Sequence, residues 1–384
     1  MTSNKAAYIK TRHAPVEVEA TEVWVPGHGE VLVRNEAISF NPIDAKIQRL
    51  DLFQSTYPLV GGFTFAGTVV DVGPGVTSVQ PGDRVAVARW GTAASENKSG
   101  AWQQYAIGLE KYLVKLAPET SLEVGSGVIA NLATVISALT IHMGLSKPPV
   151  AGRSEPNGKR IFVYGGSSAV GGLARACGTA QGRAYPKPPV AGRSEPNGKR
   201  IFVYGGSSAV GGLAVKYASD AGYHVVTTSS PRNRELVEQR KAAHIVDHTQ
   251  PREDLVKEIL AHGPYDGVFD SIGTSEATQL MGELLRDTGG LFFSTAPTPE
   301  DNALPTNVQK KWAGYSDILV SETANQDLRD WYLRSYLPAA LKSGEVWPNP
   351  AVKLEGGLGS VQRALDLMFD GKVSGSKLVV NPWD

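Results

Sequence analysis

Between residues 5 and 110 apolar and polar positions alternate in short runs: YIKT, VEVEATEVWV, EVLVRNEAIS, GTVVDVG, DRVAVARW and QQYAIG. A period of two marks half-buried strands, and Pro26-Gly27, Gly73-Pro74-Gly75 and Pro81-Gly82-Asp83 separate them with turn chemistry. The pattern predicts a small β-barrel. From Ser121 the stretch LEVGSGVIANLATVISALTIHMGL is apolar on more than one face, which predicts a buried helix. Beyond Arg200 strand-like and helix-like runs take turns: IFVYG, GGLAVKYASDAG, YHVVTT, RELVEQRKAA, HIVD, DLVKEILAHG, YDGVFDSIG, a helix through MGELLRD, and GGLFFSTA. That alternation predicts a doubly wound parallel sheet, so the fold class is α/β with a barrel domain attached. Trp331 to Ser343 predicts one more helix. The tail VQRALDLMFDGKVSGSKLVVNP adds a helix and a strand without a neighbouring partner, and is expected to return to the first domain.

The segment Arg200 to Leu213, RIFVYGGSSAVGGL, is a short apolar strand breaking into glycines before a helix. Glycine opens backbone conformations closed to other residues, so a pyrophosphate can approach the free N–H groups and positive dipole end of the helix. Gly205, Gly206, Ser207, Ser208, Ala209, Val210 and Gly211 are the candidate contacts, with Ser207 where the G-x-G-x-x-G fingerprint has its second glycine. Lys147 to Ala174 repeats Lys187 to Ala214 letter for letter, 28 residues at an offset of 40. Identity down to the polar lead-in AGRSEPNGKR points to a recent tandem duplication or a gene-model error. Only the second copy continues properly, through Val215, Tyr217 and Ala218 to YHVVTT; the first runs into RACGTAQGRAYP. The cofactor is therefore assigned to the second copy, and about 147 to 186 is expected to be an inserted loop. Removing 147–186 or 175–214 leaves the same 344-residue chain, so which copy is the intruder stays open.

With 384 residues, two domains are expected. Lysine and arginine total 38, as do aspartate and glutamate, which argues against a nucleic-acid or membrane surface. The one cysteine, Cys177, excludes a disulfide framework, and a reducing, cytoplasmic location is expected. No signal-peptide core is read at MTSNKAAYIK, and no apolar run is read as long enough to span a bilayer. After YHVVTT come Ser229, Ser230, Arg232 and Arg234 with no carboxylate before Glu235. NAD-binding domains place an acid there for the ribose hydroxyl, whereas hydroxyls and guanidinium groups suit a 2′-phosphate, so NADPH is expected.

Four stretches in order, VLVRNEAISFNPIDAKI, FTFAGTVVDVGPGV with PGDRVAV, VYGGSSAVGGLA and GKVSGSKLVV, resemble the medium-chain dehydrogenase/reductase superfamily. Within it, the chain is similar to the zinc-free quinone oxidoreductases and fungal trans-acting enoyl reductases, often labelled zinc-binding alcohol dehydrogenase-like. The resemblance implies a GroES-like domain over 1–125, completed by 345–384, and a Rossmann domain over 126–344. Where zinc-dependent relatives carry ligands and a neighbouring glutamate, this chain has Asn41, Phe63, Thr64 and Ala130, so no metal is expected. The resemblance also implies that Thr134 lies against the nicotinamide, that Asp270 and Gly273 edge the fourth strand, and that Lys377 reaches the site.

Without a Lewis acid, hydride addition to a polarised C=C remains available, as in an enone, quinone or enoyl ester. Asn41 and Lys46 are placed at the enolate oxygen, and Tyr57 is a candidate proton donor. Against each stands a plainer role: Lys46 as a solvated charge, Tyr57 as packing, Thr134 as a hydroxyl bonded to its own helix. Two other readings stay open, an NADPH-binding sensor or synthase partner with little catalysis, and a reductase disabled by the duplication. A small-molecule substrate, a homodimer and association with a biosynthetic synthase complete the expectations.

Overall fold

The computed structural model describes residues 3–51, 55–90, 96–150, 162–164, 200–203, 206–297, 304–321, 323–344, 346 and 348–384. The period-two runs form β1 (Asn4–Ile9), β2 (Val16–Thr21), β3 (Glu30–Ser39), β4 (Leu59–Val60), β5 (Thr64–Val72), β6 (Arg84–Ala88), β7 (Tyr105–Leu109) and β8 (Leu113–Lys115). Strand β3 is central, paired with β5 and with β7, and bulges between Leu32 and Val33 and between Asn35 and Ala37. Helix α1 (Pro42–Leu50) leaves the end of β3, with Pro42 in its first turn, where a missing N–H costs nothing.

Helix α2 (Leu122–Ile136) starts at Ser121, whose hydroxyl accepts from Val124 N–H, and runs on as a π-turn to His142. Ile129, Val135 and Ile136 are fully buried, each contributing about 1.5–3 kcal/mol on leaving water. The segment Leu122–His142 is 21 residues long with mean hydropathy 1.8, enough by length and composition to cross a membrane, which corrects the expectation of no such run. Its most apolar window is 72% buried inside the protein, because α2 lies between the barrel strands β5 and β6 and the Rossmann helices.

The parallel sheet consists of β9 (Phe162–Tyr164), β10 (Arg200–Val203), β11 (His224–Ser229), β12 (His244–Asp247), β13 (Val268–Asp270), β14 (Gly290–Ser294) and β15 (Val308–Trp312). Its connecting helices include α3 (Ala209–Asp220), α4 (Arg234–Glu238), α5 (Arg252–Ala261) and α6 (Ser275–Leu284). The order β12-β11-β10-β13-β14-β15 reverses direction at β10 and β13, the switch point where ligands settle beyond the carboxyl ends of the strands. Farther on, α7 (Tyr315–Ser321) packs on α2, α8 (Gln326–Asp330) and α9 (Leu337–Ser343) pack on the π-turn between them, and from that turn Tyr332 donates its hydroxyl to the Ile129 carbonyl at 2.6 Å. Strand β16 (Ala351–Lys353), α10 (Val361–Phe369) and β17 (Lys377–Val380) finish the barrel, with Val379 opposite Ser39 and Val380 opposite Ile38 of β3.

Two short pieces of the duplicated segment, 162–164 and 200–203, are strands of the parallel sheet. Phe162 of the first copy pairs with Val268, and so does its twin Phe202 of the second; Val163 and Val203 likewise both pair with Phe269. The other edge of β13 is taken by β14. One strand edge holds one partner at a time, so either copy can supply the strand beside β13, and the second also pairs with β11. Identical sequence gives them the same register; apart from 147–150 and 162–164, the loop expected over about 147–186 lies outside the described residues.

Candidate active site

At the mouth of the barrel, where β3 ends, Asn41 caps α1. The Asn41 N–H donates to the Asp44 carboxylate at 2.7 Å, closing half of a capping box. The Asn41 amide faces the other way: Oδ1 accepts from Lys377 Nζ at 2.5 Å, and Nδ2 donates to Thr64 Oγ1 at 3.3 Å. Thr64 in turn donates to the Ser39 carbonyl at 3.2 Å, and the Ser39 and Ser126 hydroxyls lie 2.7 Å apart, joining barrel to α2. Helix α2 presents Gly127 to this cluster, where an added Cβ would already touch Lys377 Cγ at 3.4 Å.

All of these groups are buried, and burial governs their charge. Desolvation raises the Asp44 carboxyl to about 6 even though Asn41 N–H and the positive Lys377 pull it down. Desolvation lowers Lys377 to about 8, with Asp44 opposing the shift. Arg89 is likewise pulled down to about 10 by burial, while its guanidinium holds the Val60 and Glu96 carbonyls at 2.9 Å each. A buried ammonium clamped to an amide polarises that amide, so the remaining Nδ2–H of Asn41 becomes a stronger donor than an isolated side chain would offer. Lys46 is half-buried one turn into α1, its pKa lowered by desolvation, with no hydrogen-bond or ion-pair partner among the described residues.

Among the described residues no hydrogen bond joins Tyr57 to this cluster. Its hydroxyl donates to Asp51 Oδ1 at 2.9 Å, and Asp51 is paired with Arg12 at 2.9 Å. A phenol has a single proton to give, and burial raises the Tyr57 pKa further. Thr134 donates to the Ala130 carbonyl at 3.1 Å, the plainer role considered for it, which still leaves its oxygen lone pairs as acceptors.

At the sheet, Ser208 caps α3, accepting from Gly211 N–H at 2.7 Å and lying 2.9 Å from Ser271 Oγ. Gly206 must be glycine: a Cβ there would lie 2.6 Å from Thr227 Oγ1 and 2.8 Å from a Val237 methyl. Ser207 is buried with its hydroxyl unpaired among the described residues, beside the open N-terminus of α3 in Ala209 and Val210. An orphan hydroxyl, a side-chain-free turn and a helix N-terminus together fit a pyrophosphate. Gly205 lies outside the described residues. Ser229 ends β11 and Ser230 follows it as the cap of the turn Pro231–Asn233; Arg232 is exposed on that turn with no partner among the described residues, whereas Arg234 is tied to Glu238 Oε1 at 3.0 Å and the Ile245 carbonyl at 3.2 Å. Asp270 is fully buried and accepts from Ile272 N–H, Gly273 N–H and Ser294 Oγ, so it shapes the loop after β13. Gly273, at φ +71°, lets that loop approach Ala296, which a Cβ would meet at 2.3 Å.

Arg240 was not legible in sequence. It is fully buried, its guanidinium donating to the Gly206 carbonyl at 3.1 Å and Asn349 Oδ1 at 2.9 Å, and desolvation lowers it to about 9. It thus underpins the turn that would carry the phosphates, with positive charge and no carboxylate partner among the described residues. Asn233 Nδ2, 3.5 Å from Ser374 Oγ, links this nucleotide end to the segment just before Lys377.

Residues 27–143 match the alcohol dehydrogenase GroES-like domain family, and residues 209–332 match the zinc-binding dehydrogenase family. The chain belongs to the medium-chain dehydrogenase/reductase superfamily. It is 28% identical over 393 residues to the dehydrogenase azaJ of Aspergillus niger, covering 99% of each chain. To a trans-enoyl reductase of Gibberella fujikuroi it is 28% identical over 392 residues, covering 98% of this chain and 97% of that one. Its fold is shared with the Escherichia coli quinone oxidoreductase solved with NADPH, at a TM-score of 0.68 and 16% identity, over 98% of this chain and 100% of the other. This medium-chain member is an oxidoreductase of the reductase type, using a nicotinamide cofactor on a small-molecule substrate.

Proposed function

We propose that this reductase uses NADPH to reduce an activated C=C, in an enone, quinone or enoyl ester, without a metal at the reacting centre. The reading rests chiefly on the buried Lys377–Asn41–Thr64 chain at the barrel mouth. The matched family name implies zinc, but the donor set does not fit it. An amide, a phenyl ring, a hydroxyl and a methyl at Asn41, Phe63, Thr64 and Ala130 offer none of the thiolate, imidazole or carboxylate ligands that catalytic zinc requires.

The nicotinamide cofactor fits. Gly206, Ser207, Ser208 and Gly211 at the α3 N-terminus would hold the pyrophosphate, and Ser229, Ser230 and Arg232 the adenosine phosphate. When bound, the reduced nicotinamide supplies a hydride. Asn41 Nδ2–H donates to the carbonyl oxygen that becomes negative as its conjugated β-carbon is reduced, and Lys377 acts through Asn41 as a positioning residue that supplies the compensating charge. Lys46, half-buried and unpaired among the described residues, is the second donor.

Two experiments follow. Arg232→Ala is expected to raise KM for NADPH about tenfold or more, the worth of a charge-assisted hydrogen bond, while leaving KM for NADH as it was. An unchanged KM for NADPH removes Arg232 from phosphate recognition. The second is a pH profile. Lys377 is protonated below its value of about 8 and loses its charge as pH rises through it, so turnover should fall with an apparent pKa near 8. Lys377→Arg should abolish that descent because a guanidinium keeps its proton. A wild-type profile flat to about pH 10, the ordinary lysine range, contradicts the assignment.

A further inference from the structure

At the opposite end of the Rossmann sheet, His244 opens β12 while Glu258 and His262 stand one turn apart at the end of α5. The His244 Nε2 lies 3.4 Å from Glu258 Oε1, and the His244 and His262 rings face each other with centroids 3.7 Å apart. One ligand atom from each of the three residues falls within 4.8 Å of the other two, and all three side chains are half-buried. Gln250 Nε2 donates to the second Glu258 oxygen at 2.8 Å, fixing the carboxylate from behind as outer partners of metal sites do.

We propose that His244, Glu258 and His262 form a binding site for one divalent cation of the zinc type, with its fourth position open to water. Two imidazoles and a carboxylate are a ligand set suited to zinc. A tetrahedral ion with ligands at about 2.0–2.2 Å needs them about 3.3–3.6 Å apart, a spacing reached here by rotating side chains rather than backbone. His262 caps the C-terminus of α5, where the helix dipole presents negative potential to a cation. The bound ion would tie β12, at the end of the sheet, to α5, the helix packed beside it. The site sits at the amino end of β12, whereas the cofactor residues sit at the carboxyl ends of the strands, so it is separate from the reacting centre and independent of the catalytic reading.

The test is equilibrium dialysis of chelator-stripped full-length protein against zinc, with bound metal quantified and unfolding midpoints recorded. Wild type is expected to retain one zinc per chain, at least tenfold more tightly than His244→Ala or His262→Ala, with Glu258→Gln in between. Its midpoint should rise with zinc while those of the histidine variants do not. The variants should keep the wild-type circular dichroism and NADPH turnover, since none of the three residues touches the reaction. Equal zinc retention by wild type and both histidine variants, or none by wild type, overturns the site.

Discussion

Lys377→Met is expected to lower turnover about a hundredfold while NADPH affinity changes by less than about threefold, the scale of loss when one donor to a developing oxyanion is removed. Methionine keeps the length of the buried side chain, so packing against Gly127 and β3 is retained, but Asn41 Oδ1 loses the ammonium at 2.5 Å. The amide then has no charge behind it. Asp44, whose carboxyl sits at about 6 with Lys377 holding it down, should move higher and bind its proton at neutral pH. Pre-steady-state hydride transfer and NADPH titration separate the two effects. Loss of NADPH binding with turnover per bound cofactor intact would make Lys377 a cofactor ligand instead, and unchanged turnover would remove the Asn41 chain from the mechanism.

Deleting residues 147–186 is expected to give a chain that binds one NADPH per molecule and unfolds about 2–4 °C higher than the full-length protein. In the full-length chain Phe162–Tyr164 and Arg200–Val203 compete for the same edge of β13. Only the second copy leads into α3, whose Val215, Tyr217 and Ala218 are buried against the core, so only that occupant brings the helix N-terminus to the phosphate seat. Molecules with the first copy in the slot cannot bind, which lowers apparent affinity by the competent fraction and, where exchange is slow, the stoichiometry. Removing 40 residues from the connection between Leu145 and Arg200 shortens it about fourfold. That recovers about 1 kcal/mol of loop-closure entropy, or about 2–4 °C for a Rossmann domain of about 180 residues unfolding as its own unit. Calorimetry and NADPH titration on both chains decide it. Equal stoichiometry and midpoint, or lost binding in the shorter chain, contradict slot competition.

What sequence made legible was wherever a single period governs a segment. EVLVRNEAIS is β3 over the same residues, and the strand-helix alternation after Arg200 is the parallel sheet. Legibility failed where tertiary partners decide. Val308–Trp312, VQKKW, carries no apolar run that marks a strand, yet it is the edge strand β15: paired on one side only among the described residues, it carries lysines where a central strand would be apolar throughout. The Tyr57 hydroxyl donates to Asp51, six residues away, a partner that nothing in the local pattern marks. Arg240 sits in a polar-looking run, QRKAA, and its burial beneath Gly206 is a long-range event. Asp44 did carry a signal, the Asn41-x-x-Asp44 spacing of a capping box, although not its raised pKa.

The proposed reaction is hydride delivery from NADPH to an activated alkene at a centre without a metal ligand set. It is tested most directly by following cofactor oxidation and product formation with an alkyl enone and an enoyl thioester, after exhaustive chelation. The account predicts a saturated product, one NADPH consumed per product and a rate untouched by the chelator, with kcat/KM for NADPH at least about tenfold above that for NADH. Turnover that disappears on chelation and returns with zinc, or equal use of NADH, contradicts it.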